Sequence, residues 1–409
     1  MSKPAGWLLL STLALTQAAI AAAPDHWVAS WGAAQQIPEE HNLLPQADMQ
    51  DATLRQIVHL SVGGSTLRVR FSNAFGTQAL ILDAAHVARS ADKASAKVVS
   101  GTDRVLTFDG RPSISIPPGA DYLSDPVTLD APALSSLTIS MHLPQAPLGQ
   151  TGHPGSRATS YYVHGDHTAD ADLPSAGKID HWYQLAGIEV AAPPAAATII
   201  AFGDSITDGH GATTNGDDRW PDLLAARLQA SARTKTLAVV NVGIGGNHLL
   251  TDGLGPNALA RLDRDLFARP AAKTMLILEA INDLGKLSRE DVRTPEQHAQ
   301  LVADLIAAYK QIIARAHGQG IKVIGCTVTP YVGSDYYHPD AASEADRQAL
   351  NTWIRTSGAF DAVVDFDKAI RDPAHPERMI AAYDSGDHLH PSAAGYKVMA
   401  DAIPLEVLR

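Results

Sequence analysis

Ser205 stands in the segment Gly203-Asp204-Ser205-Ile206-Thr207-Asp208-Gly209, and far downstream Asp387 and His390 stand together in Asp387-His388-Leu389-His390-Pro391. A seryl hydroxyl is a weak nucleophile. It needs a base for its proton, a carboxylate to orient that base, and donors aimed at the oxyanion that forms when it attacks a carbonyl. Ser205, His390 and Asp387 are the residue types for the nucleophile, the base and the orienter. Two segments between them offer the donors: Asn241-Val242-Gly243-Ile244-Gly245-Gly246-Asn247 has flexible glycine backbones, and Ala280-Ile281-Asn282-Asp283 supplies a side-chain amide. Such a set transfers acyl groups from esters and asks for neither cofactor nor metal.

Each piece has a bland reading. Gly-Asp-Ser is an ordinary turn after a strand, Asn282-Asp283 is a loop at a strand end, and His390 before Pro391 is a surface histidine. His388 with His390 also reads as a two-histidine metal pair, but a zinc site takes a third protein ligand at recognisable spacing and none stands out. Four segments in order, the first three each after an apolar run and the last near the C-terminus, are a different matter. Coincidence explains each one but not the set.

In that order the four segments resemble the four blocks of the SGNH (GDSL) hydrolases, over roughly Ala197 to the C-terminus. The resemblance implies that Ser205 attacks the acyl carbon. The oxyanion is then held by the backbone N–H of Ser205, the N–H of Gly246 and the amide of Asn282. His390 is the base and Asp387 its orienter. Gly243, Gly245 and Gly246 all offer flexible backbones, and Gly246 is chosen because it lies five residues after Asn241, as the family pattern suggests. The third block begins with Ala280 where the family usually has glycine. Ser205 lacks the Gly-x-Ser-x-Gly frame of the α/β-hydrolase elbow. The resemblance also implies a shallow, open site.

These segments must be positioned by an alternation of strands and helices. Short apolar runs at Thr198 to Phe202, Leu237 to Val242, Met275 to Leu278, Lys322 to Val328 and Ala362 to Phe366 read as buried parallel strands. Trp220, Leu223, Leu224 and Leu228 recur at helical spacing, as do Leu301, Leu305, Ala308, Ile312 and Ala316. The longer helix has its punctuation: Thr294 to cap it, Pro295 at its first position, Gln297 for a capping box, and Gly318 or Gly320 to end it. The expected fold from 197 to 409 is a three-layer α/β/α domain of flavodoxin-like type with a parallel sheet. Its first three site segments fall at the carboxyl ends of strands, where ligands of such sheets gather.

The first half reads differently. Leu67, Val69 and Phe71 alternate with Arg68 and Arg70, and Leu137, Ile139, Met141 and Leu143 alternate with Thr138, Ser140 and His142, the pattern of half-buried antiparallel strands. Gly63-Gly64 predicts a tight hairpin, and further strands are expected at Arg104 to Phe108 and Ser113 to Ile116. Residues 24–190 are therefore expected to form an antiparallel β-sandwich of jelly-roll type, joined by a linker at 191–196. Some carbohydrate esterases have a similar layout. Trp31, Tyr161, Tyr162, Trp182 and Tyr183 are candidates to stack on sugars, with core packing the commoner use of such residues. The polar stretches Ser156 to Thr159 and His164 to Thr168 read as solvated connections.

Residues 1–23 read as a secretory signal, with Lys3, an apolar stretch at Leu8 to Ala19 and small residues at Ala19-Ile20-Ala21. The expectation is an exported protein, periplasmic or released. Cys326, the single cysteine, lies in an apolar strand and reads as a buried, inert thiol. A formal charge of −12 argues against nucleic acid or anionic membranes as partners. The expected function is a serine esterase acting on short-acyl esters, such as O-acetyl groups on plant-type polysaccharides. A lipase or phospholipase for longer chains, an acyl transferase to sugar, and a glycan-binding protein on a non-catalytic SGNH scaffold are the alternatives.

Overall fold

Two antiparallel sheets occupy the first half of the computed structural model, which describes residues 26–289 and 293–409; the expected leader at 1–23 lies outside the described residues. One sheet runs in the order Trp27–Gly32, Leu185–Ala191, Gly64–Ser72, Asp121–Leu123, with Val127–Ala131 also paired to Gly64–Ser72. The other runs Gly177–Ile179, Ser160–His164, Ala52–His59, Ser136–Leu143, Ala84–Arg89, Arg104–Val105. Inward side chains of both, such as Val69, Phe71, Ile139 and Met141, share one core. On Gly64–Ser72 the alternation is as expected, and the outward Arg68 and Arg70 both reach Glu189 of the neighbouring strand, at 2.7 and 2.6 Å. Ser136–Leu143 is buried on both faces instead. It is a central strand, and Arg55 beside it donates to Ser140 and to the carbonyls of Ala96, His167 and Asp170, which draws the His164 to Thr168 stretch over the outer face.

Gly63-Gly64 does not make the predicted hairpin. Ala52–His59 and Gly64–Ser72 lie in different sheets, and residues 60–63 carry the chain from one to the other. A Cβ on Gly63 would stand 2.4 Å from the carbonyl oxygen of Ala131, so this glycine permits close backbone approach rather than a turn. The aromatic candidates also resolve toward packing. Trp31, Tyr161, Trp182 and Tyr183 are buried and Tyr162 is half-buried, so none of the first four presents a face to a sugar.

The second half is a five-stranded parallel sheet. In chain order its strands are Ala197–Gly203, Leu237–Gly243, Ala272–Leu278, Lys322–Cys326 and Ala362–Val364, and in space the second precedes the first. That 2-1-3-4-5 order places a switch point beside the first strand, at whose carboxyl end a crevice opens. Helices Trp220–Gln229 and Ala393–Asp401 pack together, as do Pro295–Gly318 and Ala341–Thr356, to complete the α/β/α layers. The Pro295–Gly318 helix begins with the expected capping box of Thr294 and Gln297. Cys326 is buried, and burial pushes its thiol well up.

The β domain covers an edge of this sheet. Leu237–Gly243 is an edge strand, and Trp27–Gly32 lies against it. Ser61 accepts the N–H of Val239 at 3.0 Å, and Thr198 accepts that of Ala29 at 3.0 Å. The buried Arg269 donates to the carbonyls of Ala186 and Ala33. Covering an edge in this way removes a template for unwanted strand pairing. Among the described residues no helix is long and apolar enough to cross a membrane.

Candidate active site

The strand Ala197–Gly203 runs straight into a four-residue helix, Ser205–Asp208, whose N-cap Asp204 accepts the N–H of Ile206 at 2.9 Å. Ser205 thus sits at the first helical position, with its own N–H unbonded among the described residues. Its Oγ lies 2.8 Å from Nε2 of His390, and Nδ1 of His390 lies 2.6 Å from Oδ2 of Asp387. Since a carboxylate only accepts, Nδ1 carries the proton and Nε2 is free to accept from the serine. Partial burial works against the charge on Asp387. Hydrogen bonds from the His390 ring and from the N–H groups of His390 and Leu389 outweigh it and hold the carboxyl well below its usual range.

His388, two residues away, turns elsewhere. Its backbone is left-handed, at φ 58°, and its ring pairs with Asp384 at 2.6 Å. The side chain that does join His390 is His210, whose ring centroid is 4.0 Å from that of His390. Ligand-type atoms of His210, Asp387 and His390 lie within 4.8 Å of one another. Both ring nitrogens of His390 are already engaged by Ser205 and Asp387, an arrangement suited to proton transfer rather than to ligation. Burial, with His390 and Arg157 close by, lowers the His210 imidazole to about 4.

Of the three glycines after the second strand, Gly243 ends that strand and gives its N–H to Oδ1 of Asn241. Gly245 and Gly246 line the cleft. Gly246 is left-handed, at φ 64°, a conformation that only glycine takes without cost. Asn282 is the second residue of helix Ile281–Arg289, after the third strand. Its Nδ2 donates to the carbonyl of Asn247 at 2.7 Å and its Oδ1 accepts from the Tyr337 hydroxyl at 2.6 Å. A carbonyl cannot donate, so the Asn247 contact fixes which end of the amide is nitrogen. One Nδ2 hydrogen is not spent in these contacts, and Asn282 lines the cleft. Ser205, Gly246, Asn282, Asp387 and His390, the five residues singled out from the sequence, all line one cavity of about 780 Å³. Leu254 and Tyr336 stand exposed at its rim, and His248, Tyr337 and Leu389 also line it.

Three groups around this site were not read from the sequence. Arg261, fully buried, spends its five N–H groups on Oδ1 of Asn247, the carbonyls of Val242 and Gly203, Asp265 and Glu279. It thereby ties together the ends of the three strands that carry Ser205, Gly246 and Asn282. Burial among these acids pushes Asp204 up to about 7, Asp283 to about 6 and Glu279 well above the carboxylate range. Ala258, Arg261, Leu262, Asp265 and Leu266 share the buried face of one helical segment, so an arginine and an aspartate on an apolar stripe were the available signal. Tyr337 lies far from Asn282 in the chain and left no such sign. His153, from the β domain, reaches Asp208 at 2.8 Å. The neighbouring Ser156 to Thr159 stretch docks on the α/β domain instead of running through solvent: Thr159 donates to Asn215, and Asn215 donates back to Arg157.

Residues 201–398 match the GDSL-like Lipase/Acylhydrolase family. No curated protein sequence matches the chain. Among solved structures it is similar to the lipase/acylhydrolase from Enterococcus faecalis, at 22% identity over 52% of this chain and 95% of that one, with a TM-score of 0.39. It is similar also to the acetyl xylan esterase AlAXEase, at 21% identity over 50% and 96% with a TM-score of 0.39. A third is LAE5, an alpha/beta hydrolase enzyme from the metagenome of Lake Arreo, Spain, at 22% identity over 51% and 94% with a TM-score of 0.36.

Proposed function

We propose that this chain is a carboxylic ester hydrolase of the GDSL-like lipase/acylhydrolase kind, the family that its residues 201–398 match, and that it works through a covalent acyl-enzyme on Ser205. The observation that carries this reading is the continuous contact from Ser205 Oγ to His390 at 2.8 Å and on to Asp387 at 2.6 Å. Nε2 of His390 takes the hydroxyl proton as Oγ bonds to the ester carbonyl carbon. The oxyanion rests against the N–H groups of Ser205 and Gly246 and the free N–H of Asn282, and Asp387 stabilises the imidazolium. His390 then gives its proton to the departing alkoxide as the C–O bond breaks. A water molecule, deprotonated by the same nitrogen, attacks the acyl-serine, and His390 returns that proton to Oγ as the Oγ–acyl bond breaks and the acid leaves. Neither cofactor nor metal takes part in these steps.

The preferred substrates are short-acyl esters, O-acetyl groups on plant-type polysaccharides among them. An open cleft with Tyr336 exposed at its rim favours this: Arg289 lies over the ring, 4.3 Å from its centroid, and the part left exposed suits a sugar ring better than an open groove suits a long acyl chain. The acidic charge of −12 favours neutral substrates over nucleic acid. Export is part of the proposal and rests on Lys3, the apolar Leu8 to Ala19 and Ala19-Ile20-Ala21. The test is hydrolysis of p-nitrophenyl esters from acetate to palmitate by the mature protein and its Ser205→Ala variant. Serine-dependent turnover that falls with acyl length supports the reading. Turnover that rises with acyl length makes the enzyme a lipase, and turnover indifferent to Ser205→Ala removes the mechanism.

A further inference from the structure

We propose that the β domain is part of the catalytic centre: its Thr151 to Thr159 loop sets the position of the Ser205 turn by clamping Asp208. The proposal rests on the reading of Ser205 as nucleophile.

Asp208 closes the four-residue helix that Ser205 opens. A single helical turn has no stability of its own, because its nucleation costs more than one hydrogen bond returns. Its position must come from what grips it. Oδ1 of Asp208 lies 2.8 Å from Nε2 of His153, and both side chains are 3% exposed. Nδ1 of His153 lies 2.8 Å from the carbonyl of Ala34. The ring thereby bridges Asp208 to the Ala34 carbonyl. The ring also stacks on Trp182, at 5.7 Å and 26°, and Trp182 meets Trp31 edge-on at 4.8 Å. His153 is therefore built into the β-domain core and cannot swing with the turn it holds. On the other carboxylate oxygen the fit is just as close, since a Cβ on Gly155 would stand 1.8 Å from Oδ2 of Asp208.

The same loop touches the base side of the site. Arg157, left-handed at φ 49°, brings Nη2 to 3.3 Å from Nδ1 of His210, and His210 lies against the ring of His390. The nucleophile turn and the catalytic imidazole thus both lean on one segment of the other domain. His153, Gly155 and Asp208 do not line the cleft. Loosening the clamp displaces Oγ without changing what substrate touches, so turnover falls while KM holds.

The experiment uses the full chain with His153→Leu, His153→Gln and Ser205→Ala. It measures kcat and KM on p-nitrophenyl acetate, the rate of Ser205 labelling by a fluorophosphonate, and thermal unfolding. His153→Leu should lower kcat and the labelling rate together by about 10²-fold, the cost of a misplacement near 1 Å, with KM within about twofold. His153→Gln keeps one donor for Asp208 and should recover part of the loss. Variants that unfold at lower temperature yet turn over and label at the parent rate would overturn the proposal, because His153 would then only join the domains. Should His153→Leu not fold, His153→Gln and Asp208→Asn carry the same comparison. Turnover that persists in Ser205→Ala while labelling disappears overturns the nucleophile reading itself, a result distinct from any given by His153.

Discussion

Tyr337 donates its hydroxyl to Oδ1 of Asn282 at 2.6 Å, while Nδ2 of the same amide donates to the carbonyl of Asn247 at 2.7 Å. The two contacts pin both ends of the amide and leave one Nδ2 hydrogen unspent, on a residue that lines the cleft together with Ser205. Asn282→Ala should lower kcat by roughly 10²- to 10³-fold, the loss seen when one oxyanion donor is removed. Tyr337→Phe removes only the anchor and should cost roughly tenfold, the worth of one hydrogen bond. If Tyr337 acts through the amide, Tyr337→Phe adds nothing in the Asn282→Ala background. Steady-state kinetics of the four proteins checks this, and additive losses would show that Tyr337 acts on substrate directly.

The two histidines of the last block should differ sharply. His388 pairs with Asp384 on the exposed side of its loop, whereas His390 contacts Ser205. His390→Ala should lower kcat by about 10²- to 10⁴-fold, the range of a lost general base, and His388→Ala by less than about twofold. Turnover of p-nitrophenyl acetate by each variant decides it, and the reverse ranking would assign the base to His388.

What the sequence disclosed of this site is what lies within a few residues. Ser205 in its segment from Gly203 to Gly209, and Asp387 with His390, are local constellations whose spacing is their geometry. Asn282 and Gly246 were chosen on the family pattern, Gly246 by its distance from Asn241, and both line the cleft. Arg261, Tyr337 and His153 were not legible, since each acts across the fold on a partner that spacing cannot identify. Gly63-Gly64 failed for a related reason. A glycine pair marks close approach or a turn alike, and only the two-sheet arrangement says which. The parallel sheet was legible strand by strand because it is buried on both faces, while Ser136–Leu143 read as half-exposed because Arg55 and its loop cover the polar face from elsewhere.

Ala280 bears on stability. The family's usual residue at this position is glycine, and here alanine holds φ 90°, a region that costs an L-residue about 1–2 kcal/mol. Some of that gain is returned through the freer unfolded chain of a glycine variant, about 0.4–1 kcal/mol. Ala280→Gly also removes a fully buried methyl, worth about 0.8 kcal/mol, so the variant should stay within about 1 kcal/mol of the parent, or about 2–4 °C in Tm. Thermal unfolding of the variant checks it, and a larger shift in either direction would mean that strain or packing at this peptide outweighs the other.

Asp204 carries a pH signature. Burial raises its carboxyl to about 7, with the neighbouring acids Asp283 and Asp208 adding to the effect and the N–H of Ile206 and Arg261 opposing it. An aspartate in an unfolded chain titrates near about 3.9, so the folded protein binds this proton more tightly. The stability it contributes is fully present below about pH 4 and is lost as the pH rises toward about 7. Asp204→Asn keeps an oxygen for the Ile206 N–H and has no proton to lose. The Tm of the variant should therefore gain on that of the parent between about pH 5 and pH 8, by a few degrees. Calorimetry of both proteins across that range measures the difference, and a constant offset would show that Asp204 stays ionised beside Arg261 throughout.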